Sequence, residues 1–215
     1  HGGFLNAPDV YMDKIAVGGG LPYQVVDIDN SIEKNIKNLA DAKNVTPADI
    51  VVCILDRPRH KDIISGVRES GARIMLISDG DVSGVIATAQ PDAGVDLYLG
   101  SGGAPEGVLA AAALRCIGGQ MQGRLMFRND DEIARARRWG IEDLEKKYCL
   151  SELAKGDVMF AATGVTGGTM LKGVKRFPGG ADTHSIIMRS STGTVRTIEA
   201  HHDWRRKPIS SDLKV

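Results

Sequence analysis

Glu106 stands where chemistry would put a receptor for anions. It follows Gly100, Gly102, Gly103 and Pro105 in LGSGGAPEG and opens the alanine-rich run VLAAAALRCIGG. A glycine-rich loop entering a helix presents backbone N–H groups to phosphate, and a carboxylate there repels one. The loop lacks the G-x-G-x-x-G register, because residue 105 is proline, and lacks a G-K-[ST] ending, so it does not point to a nucleotide. Two readings of Glu106 stay open. Beside Pro105 in a first helical turn it complements the helix dipole. Alternatively it binds a divalent cation that itself meets a phosphate held by the glycine N–H groups.

Three other stretches carry chemistry. In DRPRH, the residue before Pro58 is pushed to extended geometry, and in extended chain i and i+2 project to one side. Arg57 and Arg59 could then grip one phosphate with two guanidinium forks, or form a solvated basic turn. His60 reads as a helix-capping or packing residue. In SDGDVSG, Asp79 and Asp81 flank Gly80 and suit the vicinal hydroxyls of a sugar or a metal; a tight turn whose last Asp caps the next helix uses the same residues. TGVTGG reads either as a backbone nest for an anion, with Thr163 and Thr166 as donors, or as a plain turn. His184, His201 and His202 have no metal spacing to an acid cluster and read as structural or exposed. Cations for phosphate, carboxylates for hydroxyls and one acid for a metal together suit a phosphorylated polyol. No Ser/His/Asp or Cys/His arrangement with a nucleophile elbow is visible.

These loops need elements to hold them. Each follows a short apolar run: DIVVCIL, RIMLIS, VDLYLG and VMFAA, with a helix-period segment after each loop. Apolar runs without polar alternation suit parallel strands buried on both faces. The expected class is therefore α/β, with the four loops converging on the carboxyl edge of one parallel sheet. A helix is expected from Ser31 to near Asn44, and an exposed one over 131–140 with Arg135, Arg137 and Arg138 on a solvated face. THSIIMRSSTGTVRTIEAHH reads as a hairpin about SSTG, and the residues from Trp204 onward as a loose tail.

The chain has 215 residues, enough for one large domain or a core with a small addition at roughly 150 residues per domain. Its 27 basic residues balance 27 acidic ones, so no global field recruits nucleic acid or an anionic membrane. Cys53, Cys116 and Cys149 lack C-x-x-C or Cys/His spacing, which fits a reducing cytoplasm better than a zinc site or a disulfide framework. The longest apolar run, 108–114, falls far short of the roughly 20 residues of a membrane span. No charged region followed by an apolar signal sequence is visible, and the first residue is His1, read as a tag remnant or a cut.

Several long segments together resemble the bacterial class II fructose-1,6-bisphosphatases, some of which also act on sedoheptulose 1,7-bisphosphate. They are GGFLNAPDVYMDKIAVG, CILDRPRHKDII, ISDGDVSGVI, GSGGAPEGVLAAAALRCIGGQMQGRL, FAATGVTGG and THSIIMRSSTGTVR. The resemblance implies the layered αβαβα architecture of lithium-sensitive sugar phosphatases and hydrolysis of the 1-phosphate with Mg2+ or Mn2+, a gluconeogenic step in the cytoplasm by a homo-oligomer, dimer or tetramer. It implies substrate contacts from Tyr11, Arg57, Pro58, Arg59, Asp79, Gly80, Asp81 and Gly103, and a metal ligand at Glu106.

The same resemblance implies an upstream region with acidic metal ligands and an Asp-Pro-x-Glu/Asp-Gly-Thr motif, which this sequence does not contain. The expectation is thus a C-terminal portion: 1–30 as the remainder of an N-terminal domain, 31–203 as the α/β domain with the cradle, and 204–215 as a tail. No catalytic residue is expected within it, and the chain is expected to be inactive alone. The rival readings are a non-catalytic sugar-phosphate binding or regulatory module, and a phosphatase for another phosphorylated polyol such as an inositol phosphate.

Overall fold

In a computed structural model, which describes residues 3–168 and 170–206, the chain builds two sheets with a helix between them. β2 (Val51–Leu55), β3 (Arg73–Ile77) and β4 (Leu97–Gly103) run parallel, as three of the four apolar runs predict. β1 (Tyr11–Gly18) and β5 (Gly119–Met126) extend that sheet antiparallel, and β6 (Lys147–Cys149) closes it in the order β3-β2-β4-β1-β5-β6. Residues 11–18, which the sequence groups with 1–30, lie at the centre of this sheet.

The fourth run departs from the parallel expectation. β7 (Met159–Thr163) pairs antiparallel with β9 (Gly180–Arg189) in a second sheet, which also holds β10 (Thr194–Asp203) and the short β8 (Lys175–Phe177). Among the described residues no helix follows β7, and bends lead into β8. A five-residue apolar run cannot reveal the direction of its partner. Met159 is 66% exposed, so this strand is wet on one face, which parallel strands in α/β sheets seldom are. The terminal hairpin forms with its turn between β9 and β10, as expected.

Local chemistry explains the helices. α1 (Ile32–Lys43) starts where Ser31 Oγ accepts the Lys34 N–H and ends at Asn44 in the left-handed region, as its sequence predicts. It turns Ile36, Leu39 and Ala40 onto the sheet; burying a side chain such as Leu39 contributes roughly 1.5–3 kcal/mol. With α2 (Lys61–Glu69) it covers one face of the six-stranded sheet, over Ile15, Val17, Val52 and Ile54. α3 (Asp81–Ala87) and α4 (Ala104–Ile117) cover the other face, where Met12, Ala16 and Tyr98 lie.

α4 is apolar almost all round because it is buried on two sides, against β1, β4 and β5 and against β7 and β9. α5 (Asp130–Arg138) and α6 (Leu150–Leu153) are peripheral. Among the described residues no helix is long and apolar enough to cross a membrane.

Candidate functional site

The carboxyl ends of β2, β3 and β4 share an edge with the start of β1 and the end of β5. Register fixes this, since Tyr11 lies opposite Gly103 on one side and Met126 on the other. The loops DRPRH, SDGD and SGGAPE therefore meet there. TGVTGG follows β7, a strand of the second sheet that starts beside the C-terminal end of α4, where Cys116 Sγ donates to the Val158 carbonyl. In that loop the Gly164 N–H donates to the His184 carbonyl at 3.0 Å and Thr163 Oγ1 pairs with Ser185 Oγ, so the anion-nest reading gains no support.

His60 organises the first loop. It is buried; Nδ1 donates to the Leu55 carbonyl at 2.8 Å, and Nε2 accepts the Ser101 N–H at 2.9 Å. These two bonds assign the tautomer and tie the end of β2 to β4. Gly100, at φ +145°, is a glycine because a Cβ there would come within 3.1 Å of the His60 ring.

The two arginines do not project to one side. Pro58 opens a 3-10 turn through His60, so only Arg57 is extended, at φ −136° and ψ 144°. Arg57 Nη2 lies 4.0 Å from Asp79 Oδ1. Arg59 turns inward: Nε and Nη2 donate to the Ser101 carbonyl at 3.2 and 2.7 Å, and its guanidinium lies 4.9 Å from the Tyr11 ring centre. An inward-held Arg59 and an Arg57 that donates to the Asp56 carbonyl and lies beside Asp79 replace the expected matched pair.

The two aspartates differ as much. The Asp79 side chain is 95% exposed, whereas that of Asp81 is 12% exposed. Gly80 takes the left-handed conformation (φ 84°, ψ 55°) that turns the chain into α3. Asp81 Oδ1 then accepts the Val82 N–H at 2.9 Å, and Oδ2 accepts a bond from Lys14 Nζ at 2.5 Å.

Lys14 was not legible as a site residue. It lies on the face of β1 that carries Met12 and Ala16, and its side chain is only 1% exposed. Burial lowers its pKa, which Asp81 and then Glu106 act to restore while Arg59 opposes them. The available signal is a lysine, beside Asp13, in the mostly apolar run YMDKIAVG, since lysine is almost never fully buried unless paired.

Glu106 folds back over the backbone of Gly103. A Cβ on Gly103 would collide with Glu106 Oε2, and one on Gly102 would collide with Asp81 Oδ2. Here the glycines make room for carboxylates. Pro105 occupies the first turn of α4, and Gly103 is its N-cap without a side-chain bond.

Arg128 also escaped the sequence reading. It follows β5, lies 5.2 Å from the Tyr11 ring centre, and is held by Glu132 Oε1 at 2.8 and 2.5 Å. Asn129 caps α5 by accepting the Glu132 N–H, which explains how so short a helix aims Glu132. Tyr11 thus sits between two oriented guanidinium groups.

Two further observations bound the chemistry. Burial pushes the Cys53 thiol up to about 11, so it is no nucleophile near neutrality. Among the described residues no group of three or more His, Cys, Asp or Glu side chains converges to hold a metal ion.

Comparison with known proteins gives a consistent picture. Residues 1–202 match the family model described as bacterial fructose-1,6-bisphosphatase, glpX-encoded. A relative from Trichodesmium erythraeum named D-fructose 1,6-bisphosphatase class 2/sedoheptulose 1,7-bisphosphatase is 42% identical over 214 residues, covering 94% of this chain and 62% of the relative. Proteins of the same name from Crocosphaera subtropica and Microcystis aeruginosa are 41% and 40% identical, covering 99% and 95% of this chain and 65% and 63% of their own length. The chain spans less than two thirds of the length of these curated relatives. Every residue from Tyr11 to Glu106 at the strand-end site lies inside the matched span, and the chain belongs to the glpX-encoded bacterial fructose-1,6-bisphosphatase family.

Proposed function

We propose that this chain forms the sugar-phosphate cradle of a metal-dependent phosphatase acting on the 1-phosphate of fructose 1,6-bisphosphate, and on sedoheptulose 1,7-bisphosphate. The observation that carries this reading is the meeting of Tyr11, Arg57, Pro58, Arg59, Asp79, Gly80, Asp81 and Gly103 on one sheet edge. The names of the relatives supply the substrate class. Arg57 and the Nη1 end of Arg59 receive phosphate, and Asp79 and Asp81 receive hydroxyls of the sugar. The reading extends to a cytoplasmic homo-oligomer, with the three free cysteines in keeping with a reducing compartment.

The donor set fits a divalent cation only in part. Glu106 offers one exposed carboxylate, Asp81 is engaged by Lys14, and no third donor converges among the described residues. Mg2+ or Mn2+ is assigned to Glu106 as one ligand, with further carboxylates supplied from beyond these residues. When bound, such an ion supplies charge neutralisation and an acidified water. No hydrolytic step is assigned to the side chains of this chain.

The missing cluster also favours the second reading, a sugar-phosphate binding module. Titrating the 215-residue chain with fructose 1,6-bisphosphate, with Mn2+ or with EDTA, separates the two. The phosphatase reading expects binding that weakens in EDTA and on Glu106→Gln, without phosphate release by the chain alone. Binding indifferent to both favours the module. Robust phosphate release would overturn the ligand assignment.

A further inference from the structure

We propose that Lys14 is a positioning residue of the cradle: it holds Asp81 in the orientation that meets substrate hydroxyls. The inference rests on the sugar-phosphate reading above. The site is shaped around this lysine. A Cβ on Gly107 of α4 would come within 2.6 Å of Met12 Sδ and 3.0 Å of Lys14 Cε, and one on Gly102 would come within 3.2 Å of Lys14 Nζ as well as onto Asp81 Oδ2. Two glycines on successive elements thus clear the space in which Lys14, beside Met12, reaches from β1 to Asp81.

A side chain retained for stability alone would not need charge here. Replacing a buried ion pair with apolar groups of similar size is often neutral or stabilising. The surrounding face, with Met12, Ala16, Val85 and Val108, would accept such groups. The pair does set Asp81. One oxygen is fixed by the Val82 N–H and the other by Lys14 Nζ, and each oxygen keeps a lone pair for a further donor. Asp79, whose Oδ1 accepts the Gly80 N–H and lies 4.0 Å from Arg57 Nη2, stays exposed.

The test compares two ligands on the 215-residue chain by titration calorimetry. Fructose 6-phosphate uses both hydroxyl and phosphate contacts; inorganic phosphate uses only the latter. Lys14→Met is expected to weaken fructose 6-phosphate about tenfold or more while leaving inorganic phosphate within about twofold. Asp81→Asn should do the same, and the double variant should lose no more than Asp81→Asn alone. Unchanged sugar-phosphate binding by Lys14→Met, equal loss of both ligands, or additive losses in the double variant would each overturn the proposal.

Should Lys14→Met fail to fold, the double variant carries the test, because it removes both charges. It is expected to fold and to match Asp81→Asn, and its failure to fold counts against the pairing. A wild-type chain that binds neither ligand would instead sink the underlying sugar-phosphate reading, and this inference with it.

Discussion

Two clusters of charge in this molecule face different amounts of water. At the strand-end cradle, Lys14 and His60 are almost fully buried, and the side-chain nitrogens of both are matched by named partners. In the pocket along the terminal hairpin, Asp182 faces His201 and His184 faces Glu199 across β9 and β10, with Lys172 and Lys175 at the rim. Those side chains are mostly solvated, and their pairs form at little cost and contribute little. Both regions hold acids beside bases. Only the cradle holds them where desolvation penalises charge, and only there do glycines clear space for charged atoms. Burial, more than residue type, separates a built site from a solvated face.

Breaking the cradle's scaffold should give the largest effect. His60→Ala removes a buried ring, leaves the Ser101 N–H and the Leu55 carbonyl without their partner, and opens space beside Gly100. The expected loss is about 3 kcal/mol in urea unfolding, from unsatisfied groups plus a cavity. The hairpin-pocket counterpart, His201→Ala, removes a 2.7 Å bond to Asp182 and a stack on Phe177 at an exposed position and should cost far less. Equal losses at the two histidines would erase the contrast.

How legible the cradle was follows the same division. The caps of α1, the three parallel strands and the hairpin turn are local signals, and Ser31, Asn44 and SSTG carried them. The loops that bear the site were legible because strand ends in an α/β sheet converge. What stayed hidden is nonlocal. Tyr11–Gly18 becomes a central strand only through pairing with partners distant in sequence, and that placement buries Lys14. Arg57 and Arg59 look alike in DRPRH, yet a 3-10 turn and the Ser101 carbonyl separate their roles. Arg128 belongs to the site only because β5 runs antiparallel to β1 and delivers it beside Tyr11. The run VMFAA carried no information about the direction of its partner.

A finer test stays within the cradle and leaves the fold alone. Gly103 has φ −57°, which any residue adopts, so Gly103→Ala introduces no backbone strain. Its methyl would displace the flexible carboxylate of Glu106. The expected outcome is an unchanged melting temperature and a drop of about tenfold in the Mn2+ enhancement of fructose 1,6-bisphosphate binding, the scale at which disturbed metal ligands act. Retained enhancement would show that Glu106 serves α4 only as a dipole complement.

The smallest effect belongs to the exposed side of the comparison and has a defined pH window. Asp157 accepts bonds from Arg189, Ser190 Oγ and the Ser191 N–H, and these, Arg189 first, hold its pKa down at about 2. A carboxylate depressed in the folded state favours folding above its unfolded value near 3.8, and that contribution disappears as pH falls through about 2. The difference in melting temperature between wild type and Asp157→Asn should therefore be constant above about pH 5 and close between 3.8 and 2. Because both partners are about half exposed, 1 M salt should shrink the difference across the whole range. A gap that survived salt and persisted at pH 2 would mean that charge pairing near the hairpin acts as it does beneath Gly102, and that burial is not what divides the two regions.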